Sequence, residues 1–117
     1  MRTLFILIAV SLTSFANLAN AGPFDGKYRL NKTWDCKNVG ADGGAMRIGK
    51  GLFEAVENTC KMTNPTKIRG MSGMLYDVEC AGEGETFKER MLFIFQDHKL
   101  FILSDTGNST WQICPPD

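Results

Sequence analysis

The 117-residue chain holds one histidine, His98, and so one ready candidate for general-base chemistry at neutral pH. A catalytic base needs a positioned partner and partial burial. His98 follows Asp97 between two β-prone runs, where the pattern predicts an exposed hairpin tip. A Ser/His/Asp triad would have to use the same imidazole, so acyl transfer is not expected. Glu83 and Glu85 bracket Gly84, and paired carboxylates can divide the acid and base roles of glycoside hydrolysis when their surroundings split their pKa values. The turn Gly82-Glu83-Gly84-Glu85 instead leaves both in water. Asp42-Gly43-Gly44 lacks the helix that follows a phosphate-binding turn and the acidic spacing of a calcium loop. The thioethers of Met71 and Met74 suit Cu(I), but no histidine or thiolate adjoins them, and packing is their simpler use. No catalytic residue, cofactor or metal site is expected.

Four cysteines carry firmer information. Cys36, Cys60, Cys80 and Cys114 are separated by 24, 20 and 34 residues, with no C-x-x-C among them. An even count in a short exported chain implies a disulfide framework. Sequential pairing, Cys36–Cys60 with Cys80–Cys114, keeps each loop local and is slightly favoured. Cys36–Cys114 with Cys60–Cys80 is the rival, and it would suit a closed barrel that brings the chain ends together.

Export is read from the first 21 residues. Arg2 supplies a basic start, Leu4 to Leu12 an apolar run, and Ala19-Asn20-Ala21 a small-x-small cleavage site. That apolar run is shorter than the roughly 20 residues a helix needs to span a bilayer. Cleavage would leave residues 22–117 as one small domain without a stable membrane anchor. Arg2 is the only charge removed, so twelve basic residues remain against thirteen acidic ones. Nucleic-acid binding, which rests on clustered Lys and Arg, is not expected. Asn31-Lys32-Thr33 and Asn108-Ser109-Thr110 match the N-glycosylation acceptor pattern, which matters only in a eukaryotic host.

Beyond Ala21, short β-prone runs alternate with turn signals, the pattern of an all-β domain. Expected strands are 26–30, 45–48, 52–62, 66–71, 74–81, 85–96, 100–104 and 109–114. A loop from Asn31 to Gly44 carries Trp34 and Cys36, and Asn64-Pro65 breaks the chain before 66–71. These eight strands and their short turns predict an antiparallel meander closed into a small barrel or a two-sheet sandwich. Phe87, Phe93, Phe95 and Tyr76 would fill its interior.

In the hairpin 85–104, setting Phe95 opposite Leu100 pairs Phe93 with Ile102 on one face. The other face then carries Ile94 with Phe101, Leu92 with Leu103, and Arg90 with Asp105. Both faces are apolar, whereas a small barrel normally alternates apolar-in with polar-out. The Asn31–Gly44 loop is the expected cover for the outer set, with a homodimer contact or a protein partner as the alternative. Lys67 and Arg69 flank Ile68 after the rigid Asn64-Pro65 and could enter an acidic cleft. Gly22-Pro23-Phe24-Asp25 is a stiff, apolar-tipped end that could lie in a protease groove or pack on the barrel.

Trp34-Asp35-Cys36, Asp42-Gly43-Gly44-Ala45, Glu57-Asn58-Thr59-Cys60, Cys80-Ala81-Gly82-Glu83-Gly84 and Trp111-Gln112-Ile113-Cys114 together resemble a group of small exported α-proteobacterial proteins. That resemblance spans residues 22–117 and implies a periplasmic address and disulfides, with no activity attached. In architecture alone the pattern is similar to periplasmic β-barrel inhibitors of lysozyme or of secreted metalloproteases. The expected function is binding rather than catalysis: a periplasmic or secreted inhibitor or partner of an envelope or secreted enzyme. Its candidate contacts are Lys67, Arg69, Leu92, Ile94, Phe101 and Leu103. The alternative is a carrier of a small apolar ligand, which would need an internal pocket of roughly 300 Å3 or more. A hydrolase ranks last.

Overall fold

The structure, a computed structural model, describes residues 22–116, so the leader expected over residues 1–21 lies outside it. Nine strands follow in chain order: β1 Gly26–Arg29, β2 Asp35–Val39, β3 Gly44–Gly49, β4 Leu52–Ala55, β5 Asn58–Lys67, β6 Met74–Gly82, β7 Glu85–Gln96, β8 Lys99–Ser104 and β9 Gly107–Ile113. From β3 to β9 each strand pairs antiparallel with the next. β1 closes the circle by pairing antiparallel with both β9 and β3, which makes an eight-stranded barrel rather than a sandwich. β2 lies outside the circle, parallel to β3 through Asp35–Gly44 and Val39–Ala45.

Tight turns let the chain double back this often. Lys50-Gly51, Glu83-Gly84 and Asp97-His98 each place two successive residues at positive φ, the turn whose twist matches a hairpin. Two expected boundaries differ. Residues 52–62 divide at Val56-Glu57 into β4 and β5. Asn64-Pro65 does not end its strand, because β5 runs on to Lys67 through a bulge between Thr63 and Thr66. The bulge puts Asn64 at φ 51° and takes Pro65, which has no N–H, out of the ladder. The Thr63 hydroxyl (to the Asp77 carbonyl, 2.8 Å) and the Asn64 amide (to the Asp77 carboxylate, 2.9 Å) hold it in place. Residues 68–73, expected partly as strand, form the β5–β6 turn.

Period-2 alternation sends Tyr28, Met46, Ile48, Phe53, Cys60, Tyr76, Val78, Phe93, Leu100, Ile102 and Trp111 into one buried cluster. Phe87 is 45% exposed and does not join the interior as expected. Phe24 does join it, from outside any strand. It is 2% exposed, with ring centroids 5.8 Å from Phe93 and 5.2 Å from Phe95. Its carbonyl accepts a 2.6 Å hydrogen bond from the buried Tyr28 hydroxyl. Burial, reinforced by the nearby Asp25 charge, pushes the Tyr28 phenol up to about 12, so it remains a donor throughout the physiological range. The indole N–H of Trp111 donates to Ser109 Oγ at 2.8 Å.

The disulfides are Cys36–Cys114 and Cys60–Cys80, which corrects the favoured sequential pairing. Cys60 and Cys80 stand directly opposite in the β5–β6 ladder, with Cα atoms 4.0 Å apart. Cys36 on β2 reaches the residue after β9, Cα to Cα 5.9 Å, because the circle brings β1, β2 and the end of β9 together. Locality in sequence was the wrong guide; the ladder decides.

Two stability predictions follow from this packing. The 78-residue separation of Cys36 and Cys114 implies about 4.5 kcal/mol from restricting the unfolded chain, against about 3.3 kcal/mol for the 20-residue one. C36S/C114S should therefore cost about 2–5 kcal/mol in urea unfolding, and non-reducing peptide mapping should recover only these two pairs. F24A should cost about 3–5 kcal/mol in the same assay, the range for emptying a buried aromatic site.

Candidate functional site

The barrel has two mouths. At one lie the β4–β5, β6–β7 and β8–β9 turns. At the other lie the β3–β4, β5–β6 and β7–β8 turns, together with the arm Gly22–Asp25 that precedes β1. The arm crosses this second mouth as a tight turn, with the Asp25 N–H bonded to the Gly22 carbonyl at 3.2 Å. The Gly22 N–H donates to Asp25 Oδ2 at 2.9 Å. Phe24 descends from the turn between Tyr76 and Phe95 and seals the shaft below.

Between the arm and the barrel wall lies a half-open cleft of about 440 Å3. Pro23 and Phe24 form one side of it. Ile48, Met62, Pro65, Met74 and Tyr76 form the floor and the opposite side, and Lys50 and Asp25 supply charge. Local structure explains why these side chains meet. Met74 and Tyr76 alternate inward along β6. The Met62 N–H bonds to the Gly51 carbonyl at 2.7 Å, drawing the Lys50-Gly51 turn against β5. Pro65 is carried to the cleft by its bulge. The thioethers of Met62 and Met74 adapt to irregular apolar shapes. Burial, then the Asp25 charge, raises the Tyr76 phenol above its ordinary value, keeping it a neutral hydroxyl.

The candidate contact residues fall in two other places. Lys67 ends β5 and Arg69 sits in the following turn, both exposed. Leu92, Ile94, Phe101 and Leu103 lie on the outer wall in the expected register, Leu92 opposite Leu103 and Ile94 opposite Phe101. Strand β2 of the Asn31–Gly44 loop, expected as their cover, packs against β3 and β1. Over Leu92 and Ile94 lies the 68–73 turn. A Cβ on Gly73 would stand 3.1 Å from Leu92, 3.4 Å from Ile68 and 3.5 Å from Ile94, so this glycine lets the turn lie flat on the wall. Leu92, Ile94 and Phe101 are half-buried, while Leu103 is 40% exposed beside a shallow groove of about 310 Å3. Arg90 and Asp105 line that groove on the same face as expected, and Arg90 pairs with Asp77 at 3.6 Å.

The residues first weighed for chemistry are dispersed. His98 is exposed at the β7–β8 turn, Met71 is exposed and Met74 lines the cleft. Among the described residues no group of three or more His, Cys, Asp or Glu could hold a metal ion. Glu83 meets Glu57 rather than Glu85. Their turns crowd at the far mouth, where a Cβ on Gly82 would stand 2.2 Å from the Glu57 carbonyl. A hydrogen bond to Glu83, then that residue's charge, raises the Glu57 carboxyl above its usual range. Outside, a trough of about 450 Å3 over β5–β7 carries Asp77, Glu79, Lys88 and Arg90. Its exposed Lys88–Glu79 and Arg90–Asp77 pairs, both 3.6 Å, are worth about 0–1 kcal/mol each.

The fold and cleft define a small disulfide-linked antiparallel barrel with an apolar arm seated in one mouth. Comparison with protein-family models, curated proteins and solved structures finds no match. Of the cleft residues, the sequence singled out the arm, the Asn64-Pro65 break, the Met74 thioether and the interior Tyr76. Inward alternation along residues 74–80 was the signal for Met74 and Tyr76. Lys50 and Met62 carried none.

A raised carboxyl pKa adds stability that is complete below the unfolded value and lost as pH rises through the folded one. E57Q should therefore raise the thermal midpoint slightly at pH 7, where the two carboxylates repel. It should leave the midpoint unchanged or lower at pH 4, as scanning calorimetry at both values would show.

Proposed function

We propose that the protein is an exported binding protein, periplasmic or secreted, that holds a small, chiefly apolar ligand in the cleft beneath its N-terminal arm. One observation carries this reading: an apolar-walled space of about 440 Å3 at the mouth of an otherwise filled barrel. Pockets of this size, with few polar groups, suit small-molecule binding. The arm argues the same way. With Phe24 seated in the shaft, the apolar tip is spent inside the protein, so the groove-inserting role considered for it loses its support. The leader pattern in residues 1–21 and the paired disulfides support export.

A protein partner on the outer wall is the second reading, favoured by the exposed Leu103 and the groove beside it. Titration of the oxidised domain with anilinonaphthalene sulfonate, in competition with dodecanoate, separates the two. Saturable binding should weaken at least tenfold in M74W, which fills the cleft, and stay unchanged in L103E. Loss in L103E alone would transfer the function to the outer wall. No saturable binding would overturn the cleft reading.

A further inference from the structure

We infer that leader removal is a structural step in maturation: cleavage between Ala21 and Gly22 creates the α-ammonium that locks the arm, through Asp25, across the barrel mouth. Hydrolysis adds water across the Ala21–Gly22 bond. Ala21 keeps the carboxylate, and Gly22 leaves as an amine that takes up a proton at neutral pH. The inference rests on reading residues 1–21 as a leader.

Three observations converge on it. In the intact chain the Gly22 nitrogen already donates to Asp25 Oδ2 at 2.9 Å, so cleavage turns a neutral donor into a cation without moving it. The bond to the Asp25 carboxylate is charge-assisted from the start, and cleavage adds the second charge, making it an exposed ion pair of modest strength. Next, a Cβ at position 22 would stand 2.9 Å from Asp25 Oδ1, so any larger residue there would shift the carboxylate against its donor. Finally, Phe24 lies inside the turn that this contact closes, seated in the core at 2% exposure. The turn that carries the core aromatic thus begins at the bond to be cut. Gly22, Pro23 and Asp25 also line the cleft, so the new terminus forms part of its wall.

The test is the exported full-length chain and a thermal cycle on its product. Intact mass should give Gly22 as the first residue, and another first residue overturns the inference. A serine inserted between Ala21 and Gly22, verified by mass, moves the α-ammonium one residue away. It should lower the unfolding midpoint by about 3 °C or more in the Asp25 background and by less than about 1 °C in D25N. Equal shifts in the two backgrounds, or no shift with Asp25 present, would overturn it. These midpoints involve no ligand, so the inference stands or falls separately from the cleft reading.

Discussion

The structure depends on β1, four residues that pair on both edges and turn an open meander into a circle. Without Gly26–Arg29 between β9 and β3, two long strand edges would face water, a template for pairing with other chains. So short a strand cannot hold the seam by ladder bonds alone. Tyr28 supplies the rest, because its ring is buried and its hydroxyl is bonded to the Phe24 carbonyl. The seam, the arm and the core are therefore one unit. Cys36–Cys114 clamps it from outside, and the Cys114 N–H bonds to the Lys27 carbonyl at 2.9 Å.

The cleft is a by-product of that arrangement. A barrel of eight short strands has little internal volume once Phe93, Leu100 and Trp111 are placed. Space reappears at the mouth, where the arm crosses and the exposed Pro65 of the β5 bulge helps line the cleft. Ligand binding at such a site would involve the same residues that complete the fold. At the opposite mouth the turns crowd two carboxyl groups against each other, and a smaller space of about 200 Å3 lies beside the β8–β9 turn.

Much of the architecture was legible because alternation is a strong signal. The β7–β8 register followed from Phe93, Phe95, Leu100 and Ile102 together with the Asp97-His98 turn. β2 was missed because Asp35-Cys36-Lys37-Asn38-Val39 alternates nothing and pairs at only two positions. The β5 bulge hid behind a proline, which reads as a break whether a strand ends there or merely kinks. Trp34 suggested an apolar lid over the outer wall, and the turn residue Ile68 lies over part of that wall instead. Ile68 reaches the wall by chain proximity, and Gly73 makes room for it. The cleft lay further beyond reach: its walls come from four separate stretches, and only closure brings them together.

The Cys36–Cys114 bridge joins two points 78 residues apart, leaving β3 to β9 inside one covalent ring. Tension applied at the two chain ends would run along β1 to Cys36, cross the bridge and leave at Cys114. It would bypass the ring entirely. A machine that threads or tugs this protein by its ends would meet a mechanical short circuit, able to peel away the arm and β1 while the remaining strands carried no load.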